Sequence, residues 1–344
     1  MTANKQVAVL GGGSFGTVLA NIAASNDYDV RLWVRDAEQA LRINSEGANA
    51  TYHPELKLSD NITAYDDLAS VVRDAHYILV ATPSIIFEEV ISRLEPLISS
   101  YVTVISCTKG IKPLPFRTMT DIIDQHLGKI IGNKVGALSG PNLAKEIAEE
   151  KLAGTVIASA NESIVIEIKS MLSSATFKVF SSQDTKGVEL AGALKNIYAI
   201  CCGIAHAKFV GENALGLILT RSMAEMSRFA VAKGANPITF LGLAGMGDLM
   251  ATCTSQLSRN FQLGELLAQD YSFTDAKNKV GQVAEGARTL EVVYHEANKM
   301  NVSMPLVNSL FKILYANAPS DELIQDLLEH PNEVDVEFTY QDKL

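Results

Sequence analysis

The chain has 344 residues, of which 47% are hydrophobic and 20% charged, and its formal net charge is −10. One hydrophobic core rarely serves more than about 250 to 300 residues, so this length predicts two domains of an ordinary globular protein. The negative charge argues against nucleic acid or an anionic membrane surface as a partner, and an anionic substrate would need a local basic site.

The first predicted element is a buried strand at residues 7–10, followed by a glycine-rich turn and a helix at 17–23. Gly11, Gly13 and Gly16 satisfy the G-x-G-x-x-G spacing, and a second strand at residues 30–34 closes a βαβ unit. A glycine triplet alone is often only a turn, but here a strand precedes it and a helix follows. In that context the backbone N–H groups that open the helix bind the pyrophosphate of a dinucleotide.

The residues after the second strand bear on the choice of cofactor. A carboxylate there binds the ribose 2′-hydroxyl of NADH, whereas an arginine accepts the 2′-phosphate of NADPH. This chain has Arg35 and then Asp36. Because Arg35 comes first, NADPH is the preferred cofactor and NADH remains allowed; the alternative is that Arg35 is a solvated loop residue.

The rest of the first half alternates between strands and helices. Helices are predicted at 36–45, 66–72, 85–98 and 163–172, a turn-rich loop around His53 and Pro54 at 44–60, and strands at 77–81, 102–106, 134–138, 153–159 and 176–180. Lys109 follows a strand at the edge where open α/β sheets bind ligands, although a surface lysine is an equal alternative. Gly140 and Pro141 precede another helix, whose free N–H groups form a second polar site or merely a helix start.

After residue 187 the strand pattern ends. Helices are predicted at 188–200, 215–232, 260–268, 287–299, 306–315 and 321–328. The predicted fold is therefore a Rossmann-type α/β domain at residues 1–187 and an all-α substrate and catalytic domain at 188–332, with an acidic tail at 333–344.

Lys195 interrupts an otherwise apolar helix. Desolvation favours the neutral amine, which would suit this residue to exchange protons with a substrate oxygen. The alternative is a lysine whose stem packs on apolar surface while its amine reaches water.

Two further segments of the helical half carry polar residues. Residues 244–249 predict a glycine turn that presents Asp248, which could equally be a loop acid. Arg259 and Asn260 open a helix after Ser258, and an arginine beside free N–H groups suits a phosphate. By itself Ser258 is best explained as a helix N-cap.

Two observations predict the compartment. The four cysteines have no spacing typical of zinc, haem or redox motifs, so free thiols in a reducing compartment are expected and metal ligation is the minor alternative. The first strand begins so close to Met1 that no signal peptide precedes it, and no apolar run approaches membrane-spanning length. We expect a cytoplasmic protein without membrane insertion or a bound metal.

Over its length up to the acidic tail, the chain resembles the bacterial type of NAD(P)-dependent glycerol-3-phosphate dehydrogenase. The blocks that carry the resemblance are GGGSFGT at 11–17, CTKG at 107–110, SGPNLAKE at 139–146, GALKN at 192–196, GMGDL at 245–249, SRN at 258–260 and EG at 285–286. They occur in the family's order, and one block alone would not be specific.

The resemblance implies a role for each matched residue. Lys195 would accept the proton when the alcohol is oxidised, Asp248 would position Lys195 or a substrate hydroxyl, and Lys109 would contact both cofactor and substrate. Cofactor contacts are implied for Ser14, Phe15, Arg35, Ala144, Arg259, Val283 and Glu285, beside the glycine turn. Substrate contacts are implied for Gly140, Asn142, Lys195, Asp248, Ser258, Arg259 and Asn260. At the position of Asn142 the family more often has a threonine or serine hydroxyl, although an amide can also donate and accept.

The resulting expectation is reversible reduction of dihydroxyacetone phosphate to sn-glycerol 3-phosphate, which feeds phospholipid synthesis in the resembled family, by a homodimeric enzyme. One alternative is another dehydrogenase of the same architecture, acting on a 3-hydroxyacid or on a 6-phosphogluconate-type substrate. Another is a nucleotide-binding sensor without catalysis. The set of Lys109, Lys195, Asp248 and Arg259 favours an enzyme over a sensor, because a sensor needs no proton donor.

Overall fold

The computed structural model describes residues 5–281 and 285–329. The chain forms two compact units, Met1–Glu189 and Leu190–Leu344. Val283 and the acidic segment 333–344, for which the sequence makes predictions, lie outside the described residues.

The first unit is built on an eight-stranded sheet in the order β3-β2-β1-β4-β5-β6-β7-β8. The strands are β1 Gln6–Leu10, β2 Asp29–Trp33, β3 Ile62–Tyr65, β4 Tyr77–Val80, β5 Thr103–Ser106, β6 Val135–Ser139, β7 Ala153–Ala158 and β8 Phe177–Ser182. Neighbouring strands are parallel except β6 and β7, which are antiparallel. The helices of this unit are α1 Ser14–Ser25, α2 Ala37–Glu46, α3 Leu68–Val72, α4 Ser84–Leu94, α5 Met119–Ile131, α6 Ala144–Ala148 and α7 Glu162–Leu172.

Alternate side chains of the strands enter two different hydrophobic clusters. On β1, Val7 and Val9 belong to one cluster, and Ala8 and Leu10 belong to the other. This division follows from the two-residue period of a strand, and it shows that both faces of the sheet are covered. A mainly parallel sheet with two covered faces is the Rossmann-type fold that the sequence predicts, so that prediction is confirmed.

The strand order indicates at which edge of the sheet a ligand would bind. β1 lies between β2 and β4, so the chain leaves β1 in one direction and later continues on its other side. In open α/β sheets such a switch point, at the carboxyl ends of the strands, is where nucleotides bind. The glycine turn follows β1 at this edge, and Lys109 and Gly140 follow β5 and β6 at the same edge.

The second unit is helical. Its described elements are the long helix α8 Thr185–Ala207, which begins in the first unit, then α9 Glu212–Ala232, α10 Asp248–Cys253, α11 Arg259–Ala268, α12 Phe273–Val280, α13 Glu285–Met300, α14 Pro305–Tyr315 and α15 Glu322–Glu329. A 3-10 helix at Pro237–Leu241 and a π-helical turn at Leu243–Gly247 precede α10. The helical class that the sequence predicts after residue 187 is thereby confirmed.

The structure contains elements that the sequence analysis does not predict, and it corrects one turn. β3, α5, α10 and α12 are new, and the predicted glycine turn at residues 244–249 is wrong: the chain is helical there. Gly245 makes this possible because a Cβ at that position would lie 2.2 Å from the backbone oxygen of Phe240. Asp248 consequently lies at the start of a helix, rather than on a loop.

Helix α8 corrects the expectation that no apolar run approaches membrane-spanning length. In the described part of the chain, this 23-residue helix is long and apolar enough to cross a membrane. Its apolar window is entirely buried within the protein, as in the core helix of a folded domain. Length and composition alone are weak grounds for a membrane span.

A buried carboxyl on α9 joins three helices of the second unit. Glu225 accepts hydrogen bonds from the backbone N–H of Leu306 at 2.6 Å and of Val307 at 3.3 Å, and from the hydroxyl of Tyr198 at 3.1 Å. Burial raises the pKa of Glu225 to about 7, although these hydrogen bonds and the charge of Arg228 act to lower it. The carboxyl therefore titrates at a higher pH in the folded protein than in the unfolded chain.

The raised pKa predicts how Glu225→Gln alters the pH dependence of stability. Because the pKa is raised on folding, the carboxyl contributes stability that is complete below its unfolded value of 4.5 and is lost as pH rises through about 7. The unfolding free energy of the wild type, relative to that of Glu225→Gln, should fall by about 3 kcal/mol over this interval. Urea unfolding of both proteins at a series of pH values measures the difference.

The exposed Glu55→Gln exchange is the control for the change in net charge. If the difference between wild type and Glu225→Gln were constant across the pH series, the raised pKa of Glu225 would be wrong.

Candidate active site

The turn after β1 needs glycine at two positions for steric reasons. Gly11 has a φ of +118°, and a Cβ there would lie 2.7 Å from the backbone oxygen of Ala81. A Cβ on Gly16 would lie 1.9 Å from the oxygen of Gly11, so α1 could not approach β1 so closely with any other residue. A Cβ on Gly13 would meet no atom of the described residues within 4 Å. The turn is therefore tightly packed at Gly11 and Gly16 and open at Gly13.

The first turn of α1 has the properties of an anion site. Its N-cap residue is Gly13, which provides no side-chain cap, and the first turn contains no acidic residue. The N–H groups of this turn and the positive end of the helix dipole consequently remain available to an anion. Ser14 and Phe15, the first two residues of α1, are half-buried beside these groups. These features fit the pyrophosphate of a dinucleotide.

The two candidate residues after β2 have different surroundings. Asp36 is the N-cap of α2, and its carboxylate accepts a hydrogen bond of 2.9 Å from the backbone N–H of Glu38. Arg35 is exposed and directly precedes this cap. The carboxylate is therefore engaged by the protein, while Arg35 is exposed just beyond the end of β2, a strand that borders β1.

Three predicted residues come together after β5 and β6. Lys109 is half-buried, and its Nζ donates a hydrogen bond of 2.8 Å to the backbone oxygen of Gly140. Asn142 donates from Nδ2 to the hydroxyl of Thr155 at 3.0 Å. Among the described residues, its buried Oδ1 has no hydrogen-bond partner, so the amide can still accept from a ligand hydroxyl. Ala144 follows as the first residue of α6.

Lys195 is the centre of a buried polar group in the second unit. Its side chain is 8% exposed and that of Asp248 is 1% exposed, and the two form an ion pair. The amine also donates a hydrogen bond to the hydroxyl of Thr252. Within residues 5–281 and 285–329 these are its hydrogen-bond partners, and an ammonium has three N–H bonds. One N–H is thus left for a substrate oxygen.

This geometry decides between the two interpretations of Lys195. An amine that reached water along the surface would be exposed, whereas Lys195 is 6% exposed and paired with a carboxylate. The alternative of a solvent-reaching lysine is therefore wrong, as is the alternative of Asp248 as a loop acid. A buried charge pair is seldom a net source of stability, so a functional reason for it is expected.

The residues that open α11 divide into an exposed arginine and two buried polar residues. Ser258 is the N-cap, and its hydroxyl accepts a hydrogen bond from the backbone N–H of Phe261 at 3.4 Å, as the helix-cap interpretation predicts. Arg259 is exposed at the first position of the helix. An exposed guanidinium beside the first N–H groups of a ten-residue helix is suited to bind a phosphate.

Asn260 connects three helices. Its Nδ2 donates to Oδ1 of Asn196 on α8 at 3.1 Å, and its Oδ1 accepts from the backbone N–H of Gly286 on α13 at 3.0 Å. Among the contacts of the described residues, this leaves one N–H of the amide for a ligand, so the structure gives Asn260 a packing role in addition to the predicted one. Glu285, which begins α13, directly precedes the Gly286 contact.

Sequence reasoning missed several residues around these groups. Thr252 is four residues after Asp248, one turn later on the same helix face, and this signal becomes visible only when residues 248–253 are recognised as helical. Asn49 and Gln39 donate hydrogen bonds to the backbone oxygen of Gly12, and His53 contacts Ser14. Asn49 and His53 lie in the loop that the sequence describes only as turn-rich, and Gln39 lies on the preceding helix α2. The four cysteines are free, as expected, and the structure buries all four.

Known proteins of one family match both units of this chain. A family model for the N-terminus of NAD-dependent glycerol-3-phosphate dehydrogenase matches residues 6–165, and the model for its C-terminus matches residues 184–325. Glycerol-3-phosphate dehydrogenase [NAD(P)+] of Acinetobacter baumannii is 46% identical over 333 residues, which cover 97% of this chain and 92% of that enzyme. The protein of the same name from Alcanivorax borkumensis is 46% identical over 339 residues, 98% of each chain.

A solved structure shows the same architecture. The crystal structure of glycerol-3-phosphate dehydrogenase from Coxiella burnetii superposes with a TM-score of 0.89 at 33% identity, covering 95% of this chain and 99% of that chain. These three findings lead to one conclusion: both family models match, the relatives match over nearly their whole length, and the fold is shared. The chain belongs to the NAD-dependent glycerol-3-phosphate dehydrogenase family and is an NAD(P)-dependent oxidoreductase.

Proposed function

We propose that this chain catalyses the reversible NAD(P)H-dependent reduction of dihydroxyacetone phosphate to sn-glycerol 3-phosphate. The observation that carries the proposal is the buried Lys195, which Asp248 and Thr252 hold with one N–H left for a substrate oxygen. Relatives at 46% identity are named for the oxidation of glycerol 3-phosphate with NAD(P)+, the reverse reaction.

The cofactor site follows from the first unit. The N–H groups that open α1, together with Ser14 and Phe15, would hold the pyrophosphate beside Gly11, Gly13 and Gly16. Further contacts would come from Ala144 and Glu285, and from Val283. Residues 1–187 would thus form the nucleotide-binding domain, and residues 188–332 the substrate and catalytic domain.

NADPH would be preferred over NADH because of the surroundings of Arg35. Its guanidinium is exposed, whereas the neighbouring carboxylate of Asp36 already caps α2 and is less able to bind a ribose hydroxyl. A free guanidinium suits a 2′-phosphate, which only NADPH carries.

Arg35→Ala should raise the dissociation constant for NADPH about 10-fold, because one charge-assisted contact to the 2′-phosphate is lost. Binding of NADH, which has no 2′-phosphate, should change little. Titration of the nicotinamide fluorescence with each cofactor measures both constants. Arg42→Ala is the matched control, since Arg42 is another exposed arginine nearby on α2. Equal weakening of both cofactors would remove Arg35 from 2′-phosphate recognition.

The protein's part in the reaction is to hold the ketone and to supply a proton. When bound, reduced nicotinamide supplies a hydride for C2 of the ketone. As negative charge grows on the carbonyl oxygen, the Lys195 ammonium stabilises that charge and donates its proton, and Lys109 assists. Asp248 and Thr252 fix the position of the amine, so little reorganisation is needed in the transition state. In the reverse direction Lys195 accepts the proton.

The remaining site residues would bind the rest of the substrate. Arg259, the N–H groups that open α11 and one N–H of Asn260 would contact the phosphate, with Ser258 as the helix cap beside them. Gly140 and Asn142 would contact the substrate near Lys109, the latter through its unpartnered Oδ1.

The direct test is loss of reduced-nicotinamide absorbance when the protein is mixed with dihydroxyacetone phosphate and each cofactor in turn. Consumption of NADPH that requires this substrate is the expected result. Consumption with a 3-hydroxyacid-derived ketone or 6-phosphogluconate-type substrate instead would favour another dehydrogenase of the same fold. Tight NADPH binding without turnover on any ketone would indicate a sensor.

Three further properties belong to this proposal. The product is a phospholipid backbone, so the enzyme would feed glycerophospholipid synthesis. The buried free thiols are consistent with a reducing cytoplasm. The apolar helical unit and the resemblance to the family favour a homodimer, which light scattering would test.

A further inference from the structure

The loop between α2 and β3 sends a histidine to the first residue of α1. His53 is 6% exposed, and its Nε2 lies 2.9 Å from the hydroxyl oxygen of Ser14 and 3.0 Å from the backbone oxygen of the same residue. Because both contacts of this buried imidazole are with Ser14, the loop residue His53 restrains the position of that serine.

The contact with the backbone oxygen favours one tautomer of His53. A backbone carbonyl oxygen can only accept, so the 3.0 Å contact is a hydrogen bond when Nε2 of His53 carries the hydrogen. In that tautomer the N–H also faces the Ser14 hydroxyl oxygen, which lies 2.9 Å away. The hydroxyl's own hydrogen then points away from the ring and can be donated elsewhere.

The same loop and its neighbour orient the glycine turn. Asn49, which is 1% exposed, donates from Nδ2 to the backbone oxygen of Gly12 at 3.0 Å and to the hydroxyl of Thr17 at 2.8 Å. Gln39 donates to the same Gly12 oxygen at 3.1 Å. In a trans peptide the C=O and N–H point in opposite directions, so the N–H of Gly13 faces away from the loop. The N–H groups of Gly11 and Gly12 donate to the backbone oxygen of Trp33, so the N–H of Gly13 is the donor of the turn that this arrangement leaves for an anion.

We propose that His53 is a positioning residue of the pyrophosphate site, which holds Ser14 so that its hydroxyl donates a hydrogen bond to a phosphate oxygen of the dinucleotide. This inference rests on the proposed function, since it takes Ser14 to contact the cofactor. It adds a residue from outside the glycine turn and specifies the direction of the serine's hydrogen bond.

Two polar substitutions separate this role from a merely structural one. The amide nitrogen of glutamine lies at a reach similar to that of Nε2, whereas asparagine is one carbon shorter. H53Q should bind NADPH within about 3-fold of the wild type, and H53N should raise the dissociation constant about 10-fold, the loss of one hydrogen bond to a charged group. Fluorescence titration of the nicotinamide measures binding without turnover, and far-UV circular dichroism checks the fold.

The cofactor dependence gives a second readout. NADPH and NADH share the pyrophosphate, so H53N should weaken both by the same factor, in contrast to the NADPH-specific effect expected for Arg35→Ala. S14A should weaken both cofactors to a similar extent, and the double variant S14A/H53N should bind no worse than S14A alone, because both changes remove the same contact.

The possible outcomes distinguish this inference from the proposed function. A wild-type protein that binds neither cofactor would overturn the proposed function itself. A wild type that binds NADPH, with H53N and H53Q equally tight, would overturn the role of His53 alone. Additive losses in S14A and H53N would also overturn it, because His53 would then act without Ser14.

Discussion

Replacing Lys195 with alanine should lower the turnover number about a thousandfold while NADPH still binds. General acid catalysis contributes about 10² to 10⁴ to a rate, and the same amine would stabilise the developing alkoxide. The hydrogen-bond partners that the described residues provide to Lys195 do not belong to the glycine turn, so the dissociation constant for NADPH should change by no more than about 3-fold. Steady-state turnover with dihydroxyacetone phosphate and a cofactor titration give the two quantities.

Stability must be separated from chemistry in this experiment. Lys195→Ala leaves the carboxylate of Asp248 buried without its cation, which costs about 3 to 5 kcal/mol in comparable pairs. The variant is therefore examined by thermal unfolding, and Lys195→Met combined with Asp248→Asn provides a neutral pair of similar volume. Both proteins should bind NADPH and both should be nearly inactive.

Two additional measurements test proton transfer itself. Lys195→Arg keeps the positive charge, but a guanidinium does not release a proton at accessible pH, so most activity should still be lost. Addition of a small primary ammonium ion should partly restore turnover to Lys195→Ala, because the cavity left by the side chain adjoins Asp248 and Thr252. Wild-type turnover in Lys195→Arg would assign the proton to another group.

The parts of the fold that the sequence predicts are those determined by neighbouring residues. The βαβ unit is recognisable because a buried strand, a glycine turn and a helix follow one another at residues 7–23. Helix α5 is equally local: Thr118 and Asp121 form a capping box ahead of regularly spaced apolar residues, so this helix could have been predicted. The short edge strand β3 has no such pattern and forms by pairing with β2.

The catalytic group could be predicted only in part, for a different reason. Lys195 is conspicuous as a charge in an apolar helix, but its partners are 53 and 57 positions away in the sequence. Packing of separate helices brings them together, and no local pattern states which residues will meet. The π-helical turn before Asp248 has the composition of a loop, and its close packing against the backbone of Phe240 requires glycine at position 245.

Arg259→Ala should raise the KM for dihydroxyacetone phosphate about 100-fold, with a much smaller change in the turnover number. An arginine can form paired charge-assisted hydrogen bonds with a phosphate, each worth about 1.5 to 3 kcal/mol when the partner is charged. The phosphate is remote from C2, so losing its contacts weakens substrate and transition state to a similar extent. Initial rates over a range of substrate concentrations at saturating NADPH separate KM from turnover.

The unphosphorylated ketone makes this prediction specific. Dihydroxyacetone has the same reacting carbon but no phosphate, so its low kcat/KM should be the same in the wild type and in Arg259→Ala. Arg259→Lys keeps a charge without the planar fork, so its KM for dihydroxyacetone phosphate should lie between those of the wild type and Arg259→Ala. Lys277→Ala removes an exposed cation elsewhere in the same unit and controls for the change in net charge. If Arg259→Ala impaired both ketones equally, with cofactor affinity unchanged, the guanidinium would act at the reacting carbon, and the phosphate would have to be bound by another part of the chain.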